Sequence, residues 1–372
     1  MPNVRPNLKR VKILIGMPAP DSWGGPAACE PPFVEALRDL GHDVATEVYV
    51  YGDKDRPTPL LSRVSRVLRT AFRFRKRLNK GDFDLLHLNT AFDTRTILRD
   101  SASLFLMRPG RTKVFLKLHG SEAERFANAS WFMKRLIRYI ARKADGFGYF
   151  TSDELEAFAA IGFDRDKFYR VRNALDIPLK GTAEREHKAR GDIFELLFVS
   201  RFIPAKGLVE TIEACERLRR RGIRFRLTCI GDGSARRDAE DAVGRLALGR
   251  VVTFTGYIPE EEVAEHMQRA DIFVFPTTHP EGFPMVLFKA AALGLPIVTT
   301  NIRAAKDQMR ESVNCLFCTK DPEDIADKIA KLISDVDLRR EMSRSNEAFG
   351  AELSPQNIAR EYERIYKTTL SQ

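Results

Sequence analysis

A chain of 372 residues, 44% hydrophobic and 9% aromatic, has a globular composition and is too long for one ordinary core, so two domains are expected. Its apolar runs all fall short of the roughly 20 residues that span a bilayer, and the basic stretch 1–12 lacks the apolar core of a secretory leader. Five cysteines, odd in number and mostly inside apolar stretches, argue against a disulfide framework and for a reducing, cytoplasmic setting.

Taken in chain order, strands are predicted at 11–17, 43–50, 85–89, 114–118, 146–150 and 168–171, with helices between them such as 31–40, 60–78 and 132–143. This alternation is the pattern of βαβ units around a parallel sheet covered on both faces. Residues 177–191 are polar and without apolar periodicity, and they read as a linker. The alternation then restarts with strands at 195–200, 225–230, 251–255, 272–276 and 297–300. The fold class is therefore α/β, with two doubly wound domains at 1–176 and 192–354. The last helix, within 355–372, is left open between the two, a return to the first domain being one option.

In such sheets ligands gather beyond the carboxyl ends of strands, where helix N-termini attract anions. After the first strand, Gly24 and Gly25 open a helix and leave room for a phosphate, a pattern that an ordinary turn also explains. After the first strand of the second domain, Arg201 and Lys206 stand five residues apart before a helix and can converge on a polyanion. After the strand 272–276, Glu281 and Gly282 precede another helix; a carboxylate beside backbone donors suits sugar hydroxyls. An acidic residue placed for the helix dipole would look the same.

Other candidates are weaker. Cys315 and Cys318 form a CxxC without a second pair or a suitably spaced histidine, so they read as buried small residues rather than a zinc or redox site. Asp82/Asp84 and Asp164/Asp166 are DxD pairs in polar loops and read as loop solvation; no metal site is expected. His42, His87, His187 and His266 show no pairing, His87 reads as a core residue, and His279 beside Glu281 is a modest site candidate.

The glycine pair, Arg-x4-Lys-Gly at 201–207, Gly231-Asp232-Gly233, and Glu-Gly-Phe-Pro at 281–284 followed by an Ala-rich helix and Gly-Leu-Pro resemble the retaining glycosyltransferases of family 4. The resemblance covers essentially the whole chain and is strongest over 196–317. It implies a GT-B architecture, two Rossmann-like domains facing each other across a cleft, with donor on the C-terminal domain and acceptor on the N-terminal one. It further implies that Arg201 and Lys206 hold the donor diphosphate, that Gly24 and Gly25 face it, and that Gly231 belongs to the donor site. Glu281 and the backbone of Gly282, Phe283, Pro284 and Met285 would read the sugar, with His119 lining the sugar site. Asn173 would lie at the interdomain hinge, followed by Asp176.

Two departures stand out. Lys289 occupies the position where the family usually carries a ribose-binding glutamate, and the stretch 301–307 lacks the family's glycine pair. The implied donor is a nucleotide-diphosphate sugar, with no cofactor and no metal; a catalytically inactive GT-B scaffold is the alternative.

The net charge of +10 is concentrated in 62–80, which holds eight cations and no carboxylate. Nucleic acid, a membrane surface or an acidic substrate are the candidate partners. There Val64, Val67, Leu68, Ala71, Phe72 and Leu78 recur at helical spacing, and 132–143 repeats the pattern with Met133, Leu136, Ile137 and Ile140 among cations. Basic amphipathic helices suit an anionic membrane surface, although plain packing on the sheet accounts for part of each. Nucleic acid is disfavoured because no reader motif appears. The expectation is a cytoplasmic protein, peripheral on the inner membrane face, acting on a glycan or lipid-linked acceptor.

Overall fold

The computed structural model describes residues 10–20, 22, 24–49, 59–177 and 193–372. The stretch 1–9 and nearly all of the linker 177–191 lie outside the described residues. The chain divides into two compact units: unit 1 ends at Asp176 and resumes at Ser354, and unit 2 spans Ile177–Leu353.

Unit 1 runs β1 (Lys12–Met17), α1 (Gly25–Asp39), β2 (Asp43–Val48), α2 (Leu60–Gly81), β3 (Leu85–Thr90), α3 (Thr94–Met107), β4 (Lys113–Leu118), α4 (Trp131–Lys143), β5 (Gly146–Tyr149), α5 (Ser152–Ala160) and β6 (Phe168–Arg170). Among the described residues its six parallel strands are ordered β2-β1-β3-β4-β5-β6. Leu14, Leu86, Leu88, Leu116 and Phe147 from the strands meet Ala71, Phe74, Ile97 and Ile140 from the helices in one core.

Unit 2 runs β7 (Phe194–Val199), α6 (Leu208–Arg220), β8 (Phe225–Ile230), α7 (Arg236–Arg245), β9 (Val252–Gly256), α8 (Glu260–Arg269), β10 (Ile272–Phe275), α9 (Met285–Ala292), β11 (Ile297–Thr300), α10 (Arg303–Gln308), β12 (Leu316–Cys318), α11 (Pro322–Ser334) and α12 (Val336–Glu352). Its strands are again parallel, ordered β12-β11-β10-β7-β8-β9. The order reverses between β7 and β10. That is where a doubly wound sheet opens a binding crevice.

The last helix, α13 (Pro355–Ser371), packs on unit 1 against α1 and β4. Tyr362 and Tyr366 on it are fully buried, and Glu361 takes Arg172 at 2.9 Å. The choice left open by the sequence is settled by this aromatic face.

Each predicted strand is present, with ends moved by a residue or two. Two details differ. Helix α1 starts at Gly25, where the glycine pair opens it and ahead of the stretch 31–40, and Pro31 and Pro32 sit inside it. The strand β12 was missed because it is only three residues long and lies in the CxxC. Both cysteines there are buried and reduced, and burial pushes the Cys318 thiol up to about 12. The DxD aspartates serve the backbone: Asp84 accepts the Lys12 N–H at 2.8 Å, and Asp164 that of Asp166 at 3.1 Å.

Candidate functional site

The loop after β7 lies directly on the loop after β8. Phe202 N–H donates to Asp232 O at 2.8 Å, and Ala235 N–H returns to Phe202 O at 2.7 Å. Gly231 has φ +130°, and a Cβ on it would stand 1.9 Å from the Ser200 carbonyl. At Gly207, with φ +79°, a Cβ would meet the Pro276 carbonyl at 2.6 Å. Only glycine lets these backbones touch. The Arg201–Gly207 loop is thereby wedged between its neighbours.

The β10 loop is stitched to the same place. Thr278 N–H donates to Ala205 O at 2.7 Å, and the Thr277 hydroxyl reaches the same oxygen at 3.3 Å. This brings Glu281 onto Lys206 in an ion pair, with the ammonium 5% exposed and 5.4 Å over the Phe275 ring. His279 Nδ1 is 3.8 Å from the same carboxylate oxygen. Burial, and after it the nearby Arg201, push Lys206 down to about 8, while the Glu281 contact works the other way. His279 is lowered by burial and then by Lys206, Arg201 and Arg303. Lys206 and His279 are thus lowered beside Arg201 and Arg303, and a spot crowded by four nitrogen groups has a field that favours an anion. Arg201, Lys206 and Glu281, separated by up to 80 positions, are thus brought together; Arg201 remains exposed.

Beyond Glu281 the chain buries Gly282, Phe283 and Pro284, and Phe283 packs on Phe288 with ring centroids 4.2 Å apart. This fixes the turn into α9, which Pro284 caps. Proline has no N–H, so the expected row of amides reduces to Gly282, Phe283 and Met285. Lys289, one turn into α9, ion-pairs with Glu260 in the first turn of α8. At the stretch without its glycine pair, Arg303 takes φ +36°, a left-handed conformation held by a residue with a Cβ.

In unit 1, Gly24 caps α1 at φ +99° and Gly25 is its first residue. Asn173 is buried just after β6. His119 follows β4, and its N–H donates to Thr90 O at 2.7 Å. Its ring lies in a buried polar cluster that the sequence reading missed: Nε2 is 2.7 Å from Asn89 Oδ1 and 3.4 Å from Glu30 Oε1, and Lys117 Nζ is 2.7 Å from that same carboxylate oxygen. Burial first, then Lys117, push the imidazole down to about 4. The available signal was Lys117 itself, one cation in the apolar strand VFLKL; nothing local points to Glu30 or Asn89 as its partners. His87 is a core residue as read, buried with Nδ1 2.5 Å from the Tyr366 hydroxyl.

Comparison with known proteins adds to this geometry. Residues 180–349 match the glycosyl transferases group 1 model, and residues 30–178 match that of Glycosyltransferase Family 4. The putative colanic acid biosynthesis glycosyltransferase WcaL of Escherichia coli is 32% identical over 38% of this chain and 35% of its own length. The amylovoran biosynthesis glycosyltransferase AmsK of Erwinia amylovora is 30% identical over 41% of this chain and 36% of its own. The chain thus spans about a third of the length of these curated relatives. Anabaena HepE, solved in complex with UDP and glucose, superposes with a TM-score of 0.70 over 98% of this chain and 100% of its own at 18% identity, a likeness of fold. With both halves matched and two parallel-sheet units of the GT-B kind, the chain belongs to the family 4, group 1 glycosyltransferases.

Proposed function

We propose that the chain transfers a sugar, with retention of anomeric configuration, from a nucleoside diphosphate donor to a glycan or lipid-linked acceptor. The pathway would be surface polysaccharide or glycolipid assembly, as in the names of WcaL and AmsK. The observation that carries the reading is the buried Lys206, held by Glu281 and crowded by Arg201 and His279 at the switch between β7 and β10.

Breaking the bond between the anomeric carbon and the diphosphate builds negative charge on the departing oxygens. Arg201 offers a fork and Lys206 a point charge to those oxygens, without reorganising at the moment of reaction. Glu281 fixes the ammonium and accepts from sugar hydroxyls, while the Gly282, Phe283 and Met285 amides donate. By the family resemblance, unit 1 carries the acceptor, with His119 and the Gly24-Gly25 turn among its site residues. The cations take the place a metal would fill in stabilising the leaving group, so a chelator leaves the rate unchanged.

The test follows nucleoside diphosphate release across a panel of nucleotide sugars, with and without chelator, in the unaltered chain and in Arg201→Ala and Lys206→Ala. Release with one donor that collapses in both variants supports the reading. No release with any donor, together with undiminished donor binding in the variants, refutes it. A donor-binding scaffold without turnover is the second reading, favoured by Lys289, whose charge is committed to Glu260; donor binding without release identifies it.

We further propose that unit 1 works against the anionic inner face of a membrane. Ala71, Phe74 and Leu78 turn α2 inward, while Leu61, Val64, Leu68 and Phe72 stay exposed among its cations. Helix α3 packs beside both α2 and α4, and Leu98, Phe105, Trp131 and Phe132 extend the exposed apolar row. No described helix is long and apolar enough to cross a membrane. Each cation near the lipid adds ~1 kcal/mol. Flotation with anionic vesicles at low salt checks this; failure to float refutes it.

A further inference from the structure

The polar cluster under His119 has a direction built into it. Asn89 is oriented by its own Nδ2, which donates to Gly16 O at 3.0 Å, so its Oδ1 is the atom turned to the imidazole. The second neighbour of the same ring nitrogen is a carboxylate oxygen of Glu30. Both neighbours only accept, and the proton of a neutral imidazole between them therefore resides on Nε2. We propose that Glu30, with Asn89, is a positioning residue that holds His119 in this tautomer, with its proton on Nε2. The proposal rests on the reading of His119 as a sugar-site residue.

Lys117 completes the arrangement. A buried carboxylate alone would draw a second proton onto the ring. Burial works to raise the Glu30 carboxyl, but Lys117 and then His119 hold it below the usual carboxylate range, and Lys117 opposes a charge on the imidazole. The groups facing the cluster are Cys29 and Glu30 from α1, His87 and Asn89 from β3, Lys117 from β4, and Tyr362 and Tyr366 from α13. Burial keeps His87 neutral too, down to about 3.

Stability alone does not account for the pair. Glu30 and Lys117 are 0% and 1% exposed, and Glu30 Oε2 is buried without a hydrogen-bond partner among the described residues. A buried ion pair with an orphan acceptor is a poor substitute for apolar packing. The same two residues do, however, set the charge and the proton of the one histidine at the end of β4.

The experiment is ¹⁵N NMR of histidine-labelled full-length chain without donor, with His119 assigned by His119→Gln. The expected spectrum is a neutral Nε2–H ring, unchanged from about pH 5.5 to about 8.5. In Asn89→Leu, where only the longer Glu30 contact still faces Nε2, the Nδ1–H form gains population. In Lys117→Met, which leaves the Glu30 carboxylate beside the ring, the protonation midpoint rises towards the ordinary histidine value. The acid limb of kcat shifts with it, and kcat falls ~10-fold or more while KM for the donor moves less. An Nδ1–H ring in the unaltered protein, or one spectrum shared by all variants, overturns the proposal. The spectra are read without turnover, so a chain that transfers no sugar refutes the transferase reading and leaves this test decisive.

Discussion

Units 1 and 2 both carry charged residues at the carboxyl ends of six-stranded parallel sheets, but they hold them by opposite means. In unit 2 the charges ride on loops: Arg201, Lys206 and Glu281 follow strands, and glycines clamp their backbones together. In unit 1 the charges belong to the elements themselves, Glu30 to α1 and Lys117 to β4, with the neutral Asn89 on β3 beside them, and they pair inside the unit. The loop-borne cations repel one another and gain from an incoming anion. The element-borne pair is neutral as it stands and orients a neighbour. As proposed, one arrangement binds and the other aims.

The strongest test of that contrast sets two ion pairs side by side. Glu30→Ala strands a buried ammonium and is expected to destabilise the fold by about 3–5 kcal/mol in urea unfolding. Lys289→Ala breaks the Glu260 pair, whose carboxylate is 63% exposed, and should cost only ~0–1 kcal/mol. Equal losses would erase the distinction between the units. Next in size, Arg201→Ala and Lys206→Ala should each lower kcat/KM for donor by ~10²–10³. A comparable loss in folding stability for Arg201→Ala would mean that the loop is structural.

These effects bear on how much could be read from the sequence. The unit 2 site was legible because its parts are contiguous: Arg201 and Lys206 share one loop, and Glu281 and Gly282 share another. The strands were legible for the same reason, each being a short apolar run. The unit 1 cluster was not, because residues 30, 89 and 117 meet only once three elements are laid side by side. The stretch 31–40 caught only part of helix α1, whose start the glycine pair marks. The Lys289 departure was visible, but its partner Glu260, on another helix, was not.

A smaller effect concerns pH. Lys206 is held at about 8, well below an ordinary lysine. Its cation is lost as pH rises through that value, so affinity for a nucleoside diphosphate should fall above about pH 8 by titration calorimetry, and the fall should be absent in Lys206→Arg. Folding stability should move the other way. Between about 8 and the ordinary lysine value the unfolded chain binds the proton that the native state has released, so stability rises with pH in that window. Smallest of all, Arg303→Gly should relieve a left-handed residue at φ +36° and stabilise unit 2 by ~1 kcal/mol, measured as a higher Tm. A lower Tm would show that the Arg303 side chain does more for the fold than its backbone costs.

The return of α13 to unit 1 has a consequence for how the molecule is made. Unit 1 is interrupted in sequence, and its last helix leaves the ribosome only after all of unit 2 has been synthesised. Until then His87 lacks the Tyr366 hydroxyl, and α1 and β4 lack the ring-bearing face that covers them. Domains generally fold as they emerge; here the earlier one waits for the later. The surroundings of His119 are therefore among the last parts of the protein to be completed, and a nascent chain can carry the finished Lys206–Glu281 pair of unit 2 before it has a finished histidine in unit 1.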